Sequence, residues 1–132
     1  MKYTWILCTV IINIAGCVSS PNKNPFEGKW TSAWVKQAGK VDLSIEFKEN
    51  YSFTTIAFQD PIRLVIDGNY FVSKDSFFIK DNHHEPTQLC SYDDTGRYKY
   101  VYRNDSLFFK VIHENCEKRK YTFEIGLVRL KE

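Results

Sequence analysis

The stretch GRYKYVYRNDSLFFKVI, residues 96–112, decides the fold class. Aromatic and β-branched residues alternate with polar ones on both sides of Asn104-Asp105, the pattern of two half-buried strands joined by a two-residue turn. With that turn, Tyr102 faces Leu107, Tyr100 faces Phe109 and Tyr98 faces Val111, all on one side of the ribbon. Arg103, Lys99 and Lys110 fall on the other side. Lys99 opposite Lys110 is unfavourable unless water separates the charges, so that side is expected to be wet and the tyrosine side to face inward.

The same pattern recurs on either side of this hairpin. A turn at Lys74-Asp75 sets Val72 against Phe77 and Tyr70 against Ile79 on one face. Val41, Leu43, Ile45 and Phe47 alternate with Asp42, Ser44, Glu46 and Lys48. No segment between residues 26 and 132 shows a helical period. Eight strands are predicted: Lys29 to Val35, Val41 to Lys48, Tyr51 to Phe58, Arg63 to Val72, Ser76 to Lys80, Gly96 to Arg103, Ser106 to Ile112 and Lys120 to Leu130. The third carries large apolar groups on both parities, which leaves its facing open. In the last, the apolar parity switches near Gly126, as a glycine bulge would produce.

Eight strands joined by short, hairpin-length breaks form a sandwich or an up-and-down barrel. In the barrel, the connections after the fifth and seventh strands lie at one end, beside neighbouring strands. Cys90 falls in the first of these connections and Cys116 in the second, so a disulfide between them would form there without distortion. The expected fold is therefore all-β, an eight-stranded antiparallel up-and-down barrel.

The N-terminal region has a different composition. Lys2 precedes an apolar run from Tyr3 to Gly16, short of the ~20 residues a membrane-spanning helix needs. A basic start, a short apolar core and the small residues Ala15 and Gly16 make up a secretory signal peptide. Ile14-Ala15-Gly16-Cys17 resembles the lipobox of bacterial lipoproteins. That resemblance implies removal of residues 1–16, acylation of Cys17 and attachment to the cell envelope, and in a Gram-negative host Val18 in place of a retention-type Asp implies the outer membrane. Each buried methylene contributes roughly 0.8 kcal/mol, so the two or three chains of a lipoprotein hold it stably. Residues 17–25 then form the lipidated cysteine and a flexible tether rich in Ser, Pro, Asn and Lys, and residues 26–132 form one folded domain.

Cys8 would leave with the signal peptide, and Cys90 and Cys116 remain as the domain's thiols. Export places them in an oxidising compartment, where pairing is the expectation and two buried free thiols the alternative. The bond would close a 27-residue loop, worth roughly 3 to 4 kcal/mol on the chain-entropy model. Cleavage would leave 116 residues, enough for one small core, and would lower the formal net charge from +2 to +1. A balance so even exerts little pull on nucleic acid and does not require an anionic membrane surface.

Gly28-Lys29-Trp30 reproduces the G-x-W of lipocalins. Cys90, Gly96-Arg97-Tyr98, Leu107-Phe108-Phe109 and Cys116-Glu117-Lys118-Arg119 together resemble a "C…G-x-Y…L-x-F…C-x-x-R" spine of lipocalin-like bacterial lipoprotein domains. The resemblance spans about Gly28 to Leu130. It implies that Arg129 packs over Trp30 and closes one end of the barrel, and that a small hydrophobic ligand sits inside. The chain departs from the family in being shorter, in showing no C-terminal helical pattern and in lacking a second signature motif. An eight-stranded barrel either fills its interior with side chains or holds one small ligand. Tyr70, Phe77, Tyr98, Tyr100, Tyr102 and Phe109 are the residues expected to line such a pocket, or else to form the filled core. A second class of function is protein binding, as in the small barrel inhibitors that act on lysozyme. Thr95-Gly96-Arg97-Tyr98 resembles their S-G-x-x-Y motif with the tyrosine one position early, and the partner motif is absent.

His83, His84 and Glu85, with His113 and Glu114, fall in two connections at one end of the predicted barrel and carry zinc-ligand atoms. Adjacent histidines point apart in extended chain, so no metal site is assigned. Asp93 and Asp94 adjoin Gly96, a turn composition. No elbow-type serine, CxxC, phosphate loop or HExxH occurs. The chain is expected to be a monomer without enzymatic activity or cofactor. Its expected partners are the membrane, through the lipid anchor, and a small hydrophobic ligand, with no nucleic acid.

Overall fold

A computed structural model describes residues 24–32, 43–59 and 61–131. The signal peptide, Cys17, nearly all of the tether, the end of the first predicted strand and the start of the second lie outside the described residues. The elements are β1 (Gly28–Ser32), β2 (Leu43–Phe47), β3 (Ser52–Gln59), β4 (Ile62–Ser73), β5 (Ser76–Glu85), β6 (Thr95–Arg103), β7 (Ser106–His113), α1 (Glu117–Ile125) and β8 (Leu127–Arg129). The strands pair in sequence order, all antiparallel, and β8 returns to β1, giving one closed barrel. Among the described residues no helix is long and apolar enough to cross a membrane.

The β6–β7 hairpin has the register expected from its sequence: Tyr98↔Val111, Lys99↔Lys110, Tyr100↔Phe109 and Tyr102↔Leu107. Asn104 and Asp105 both take positive φ, 51° and 56°, as a tight hairpin turn requires. Val72↔Phe77 and Tyr70↔Ile79 likewise flank the Lys74-Asp75 turn. The open question about β3 has a definite answer. Phe53 and Thr55 are buried and Ala57 shares their inward parity, while Tyr51 belongs to the turn before the strand, at φ 61°.

Two expectations are corrected. Lys120 to Leu130 is not a strand: helix α1 occupies Glu117–Ile125 and only Leu127–Arg129 joins the sheet. The helix buries Arg119 and Phe123, four residues apart on one face. Because one of those positions holds an arginine, a search for apolar periodicity passes over it. Gly126 ends the helix rather than forming a bulge, with φ 87° and its N–H bonded to Phe123 O at 3.0 Å. The second correction concerns β5, which runs on to Glu85, so His83, His84 and Glu85 lie on a strand and not in a connection. A register shift pairs Gly68 with Asp81 and Asp67 with His83, and the bulge turns His84 inward.

The barrel has two unlike ends. At the end where β1 begins, Phe26 enters the interior with no exposed surface. Its ring stacks on Phe77 at 4.8 Å and meets Tyr100 edge-on at 4.9 Å. At the other end β8 is too short to complete the wall, and α1 takes its place beside β7, sending Phe123 against Phe77, Tyr98 and Phe109.

Candidate functional site

The interior divides along the barrel axis. The closed end holds the aromatic cluster, and Trp30 sits there fully buried, its indole N–H donating to Phe26 O at 2.6 Å. The Arg129 guanidinium lies 4.2 Å above the Trp30 ring and donates to Glu27 O and Pro25 O at 2.7 and 2.8 Å. Gly28 has φ +122°, and a Cβ there would stand 2.7 Å from Arg129 Nη1. The spacing G-x-W with a late arginine therefore has a local physical basis: the arginine needs the space that a side chain at position 28 would take.

The other half holds a cavity of about 640 Å³. Its described wall comes from Leu43 and Ile45 of β2, Phe53, Thr55, Ala57 and Phe58 of β3, Ile62, Leu64 and Ile66 of β4, and Ile79 and Asp81 of β5. Ser32 of β1, the connection from Pro86 to Cys90, and Lys118 to Ile125 of α1 supply the rest. Phe58, Ile62, Leu89 and Tyr121 are 40–64 % exposed and form an apolar rim. Inward parity on β2, β3 and β4 supplies aliphatic groups at this level, whereas β6 and β7 supply rings lower down.

None of the six aromatic residues expected to line a pocket borders this cavity. Tyr70, Phe77 and Tyr98 are buried in the core, with Tyr100 and Phe109 packed against them. Tyr102 is 42 % exposed and borders a separate shallow recess of about 430 Å³ with Asn24, Pro25 and Arg129. Their hydroxyls have protein partners. Tyr70 donates to Lys48 O at 2.9 Å and accepts from Asn24 at 2.6 Å, Tyr100 donates to Lys74 O at 3.1 Å, and Tyr102 donates to Asp105 Oδ1 at 3.0 Å. Burial raises the Tyr70 and Tyr100 hydroxyls above the ordinary phenol range, with Asp75 adding to the effect at Tyr100. Tyrosine hydroxyls that need partners find them in the chain itself.

A buried charged network separates the two halves. Arg119 of α1 makes a two-pronged bond to Glu114, Nε to Oε2 at 2.7 Å and Nη2 to Oε1 at 2.8 Å. Glu114 also accepts from the Tyr98 hydroxyl and from the Cys116 N–H. Burial by itself would raise the Glu114 carboxyl, but the bonds from Arg119, Tyr98 and Cys116 outweigh it and hold the group below the usual carboxylate range. Burial would lower Arg119, and Glu114 and Asp81 reverse that, so its guanidinium stays charged. Tyr98 is pushed up, by burial first and by Glu114 second. Arg119 Nη1 lies 3.1 Å from Asp81 Oδ1 without hydrogen-bond alignment, so that contact is a charge pair. Asp81 Oδ2 meets His84 Nε2 at 3.0 Å, and His84 Nδ1 accepts from the Leu89 N–H at 2.7 Å. The second bond requires Nδ1 to be unprotonated, which places the ring proton on Nε2, facing Asp81.

The disulfide Cys90–Cys116, with 5.4 Å between Cα atoms, joins the Pro86–Cys90 wall to the start of α1. Two sides of the cavity are thus covalently tied. Of the residues weighed as zinc ligands, His83, Glu85 and His113 are exposed and Glu114 is bound to Arg119. Asp81, His84 and Cys90 do converge, with their ligand atoms within 4.8 Å. The Cys90 sulfur is in the disulfide, and the two His84 nitrogens face Asp81 and the Leu89 N–H, so these three atoms serve the protein's own bonding.

Sequence reasoning missed Asp81, the aliphatic wall and the partners of Arg119. One signal pointed to them: Gly96, Tyr98, Cys116 and Arg119 were singled out by their spacing, and with Glu114 they assemble around a single guanidinium. A Cβ on Gly96 would collide with the Glu114 carboxylate. In comparisons with known proteins, no family model, no curated protein and no solved structure matches the chain.

Proposed function

We propose that this barrel binds one small apolar molecule in the cavity walled by β2 to β5 and α1, as an exported lipoprotein anchored through Cys17 to a bacterial outer membrane. The observation that carries the reading is the cavity itself. Its volume of about 640 Å³ falls in the range of roughly 300–1,000 Å³ typical of small-molecule sites. Its walls are largely aliphatic and aromatic, and the polar groups among them are few. The Gly28, Trp30 and Arg129 arrangement at the opposite end is consistent with a lipocalin-like barrel. The disulfide supports a compartment outside the cytoplasm.

A binding role is preferred to an enzymatic one because the buried titratable groups beside the cavity, Asp81, His84, Glu114 and Arg119, are bonded to each other. His84, whose partner Asp81 borders the cavity, is committed at both nitrogens, so that ring offers no base to the hydroxyls of Ser32 and Thr55. The wall supplies shape and apolar surface, not a reacting constellation. We take the protein to act as a monomer, without nucleic acid or cofactor.

The test is titration of the full chain with the apolar fluorophore N-phenyl-1-naphthylamine, beside native mass spectrometry of the protein extracted gently from its host. Saturable fluorescence enhancement and a co-purifying lipophile are expected. Ala57→Trp, which projects a large ring into the cavity, should abolish both while leaving the far-ultraviolet spectrum intact. Enhancement that survives Ala57→Trp, or a wild-type chain that shows neither signal, would overturn the reading.

A further inference from the structure

The near-neutral net charge hides a polarised surface. Outward positions on β4 to β7 can be read from the pairing. Phe71, Phe78, Arg97 and His113 form one row across four strands, and Ser73, Ser76, Lys99 and Lys110 form the next. Val101 pairs with Phe108 and Arg103 with Ser106 below them, and Lys80 lies between Asn69 and Thr95 above. Five cations, Lys80, Arg97, Lys99, Arg103 and Lys110, therefore share one face with five apolar side chains, Phe71, Phe78, Val101, Phe108 and Ile112. Two outward carboxylates, Asp67 and Glu85, lie above these rows towards the open end of β4 and β5, and none lies within them. Asp75, in the turn below, reaches Lys99 at 2.7 Å. Across the barrel the signs are mixed, with Lys29 paired opposite Glu46.

The apolar members are not hidden. Phe71 and Val101 are 59 % exposed, Phe108 45 % and Ile112 43 %. Adjacent large apolar groups in water mark a contact surface. Cations lie over two of the rings, Arg97 at 5.5 Å from the Phe78 centroid and Arg103 at 5.3 Å from Phe108. We infer that the outer face of β4 to β7 docks on an anionic phospholipid surface, with the rings entering the acyl boundary and the lysine and arginine heads at the phosphates. Charge alone would serve a soluble polyanion, but it would leave the rings in water. A bilayer interface takes both at once, because long basic side chains keep their heads among the phosphates while their stems and neighbouring rings are buried. The inference is independent of the cavity.

The test uses the chain from residue 17 on, without the apolar run Tyr3 to Gly16 and with Cys17→Ser so that no acyl chain contributes, sedimented with phosphatidylcholine vesicles and with vesicles containing about one-third phosphatidylglycerol. Partitioning should be stronger on the anionic vesicles and should weaken as salt is raised. Each lysine or arginine near such a surface is worth about fivefold in partitioning, so Arg97→Glu, Lys99→Glu and Lys110→Glu combined should cost more than about a hundredfold. Lys80→Gln with Lys110→Gln is the milder variant if the triple change fails to fold. Phe71→Ser with Phe108→Ser should weaken vesicle binding several-fold and leave retention on heparin unchanged. Equal partitioning to both vesicle types would overturn the inference. So would heparin retention without any preference for anionic vesicles, which would assign the face to a soluble polyanion.

Discussion

The two ends of this barrel use opposite means of filling space. At the closed end Phe26, Phe47, Tyr70 and Phe77 pack ring against ring and Trp30 meets Tyr102 edge-on, and most of the polar side chains there donate to backbone carbonyls. At the open end the wall is aliphatic, a helix replaces most of a strand, and a buried guanidinium holds the junction together. The difference teaches where each end is vulnerable. The closed end resists anything that does not remove volume, and the open end depends on a few specific bonds that a single atom-level change can break.

The sharpest way to break that contrast is Arg119→Met. The substitution keeps much of the side-chain volume and removes the charge, leaving the buried Glu114 and Asp81 without their shared partner. Loss of one member of a buried ion pair costs about 3–5 kcal/mol, a large part of the stability of a domain this size. Urea unfolding should show it directly. A loss under about 1 kcal/mol would mean that the network is solvated and that the open end is not organised around it.

A matched pair of truncations tests the packing difference next. Phe77→Ala in the filled half should cost about 3–5 kcal/mol, since its neighbours are fixed from several sides. Leu64→Ala, which borders the cavity, should cost no more than about 1–2 kcal/mol, because that side chain already lacks partner atoms on its inner side. Equal losses would mean that the cavity is closed in solution by repacking of its wall.

Most of the closed end was legible in the sequence, and most of the open end was not. Turn residues and strict alternation specify the β4–β5 and β6–β7 hairpins, so their registers follow from the chain alone. The pairing of Trp30 with Arg129 followed from a spacing resemblance, and the Cys90–Cys116 bond from topology. The open end escaped because the side chains that organise it, Asp81, His84 and Arg119, are buried but polar. Asp81 and His84 look like loop composition, and Arg119 interrupts the apolar stripe of α1, so a strand extension and a helix were both read as something else. Of the six aromatic residues, five lie in or against the buried core and Tyr102 is largely exposed, and the sequence does not say at which level along the axis the interior stops being filled. That level is set by Phe26, Phe123 and Arg119 arriving from outside the sheet.

A smaller effect separates the ends by pH. The Glu114 carboxyl is held below its ordinary value of 4.5 in the folded protein. It therefore contributes stability that is complete above that ordinary value and is lost as pH falls from there through the lower folded value. The groups facing it are Tyr98 from β6 and Arg119 from α1, with Asp81 and His84 of β5 behind the arginine. Protonating Glu114 removes a charge but keeps a carboxyl that still packs and accepts a bond, so the loss should be smaller than that caused by Arg119→Met. Urea midpoints measured from neutral pH down to about pH 3 should stay level and then drop below the ordinary carboxylate value. Glu114→Gln should start lower and drop less. Hydrogen exchange in the same range should loosen α1 and the Pro86–Cys90 segment before the Phe26–Trp30 region. If the closed end exchanged first, acid would be acting through some other carboxylate, and the guanidinium would not be what holds the open end.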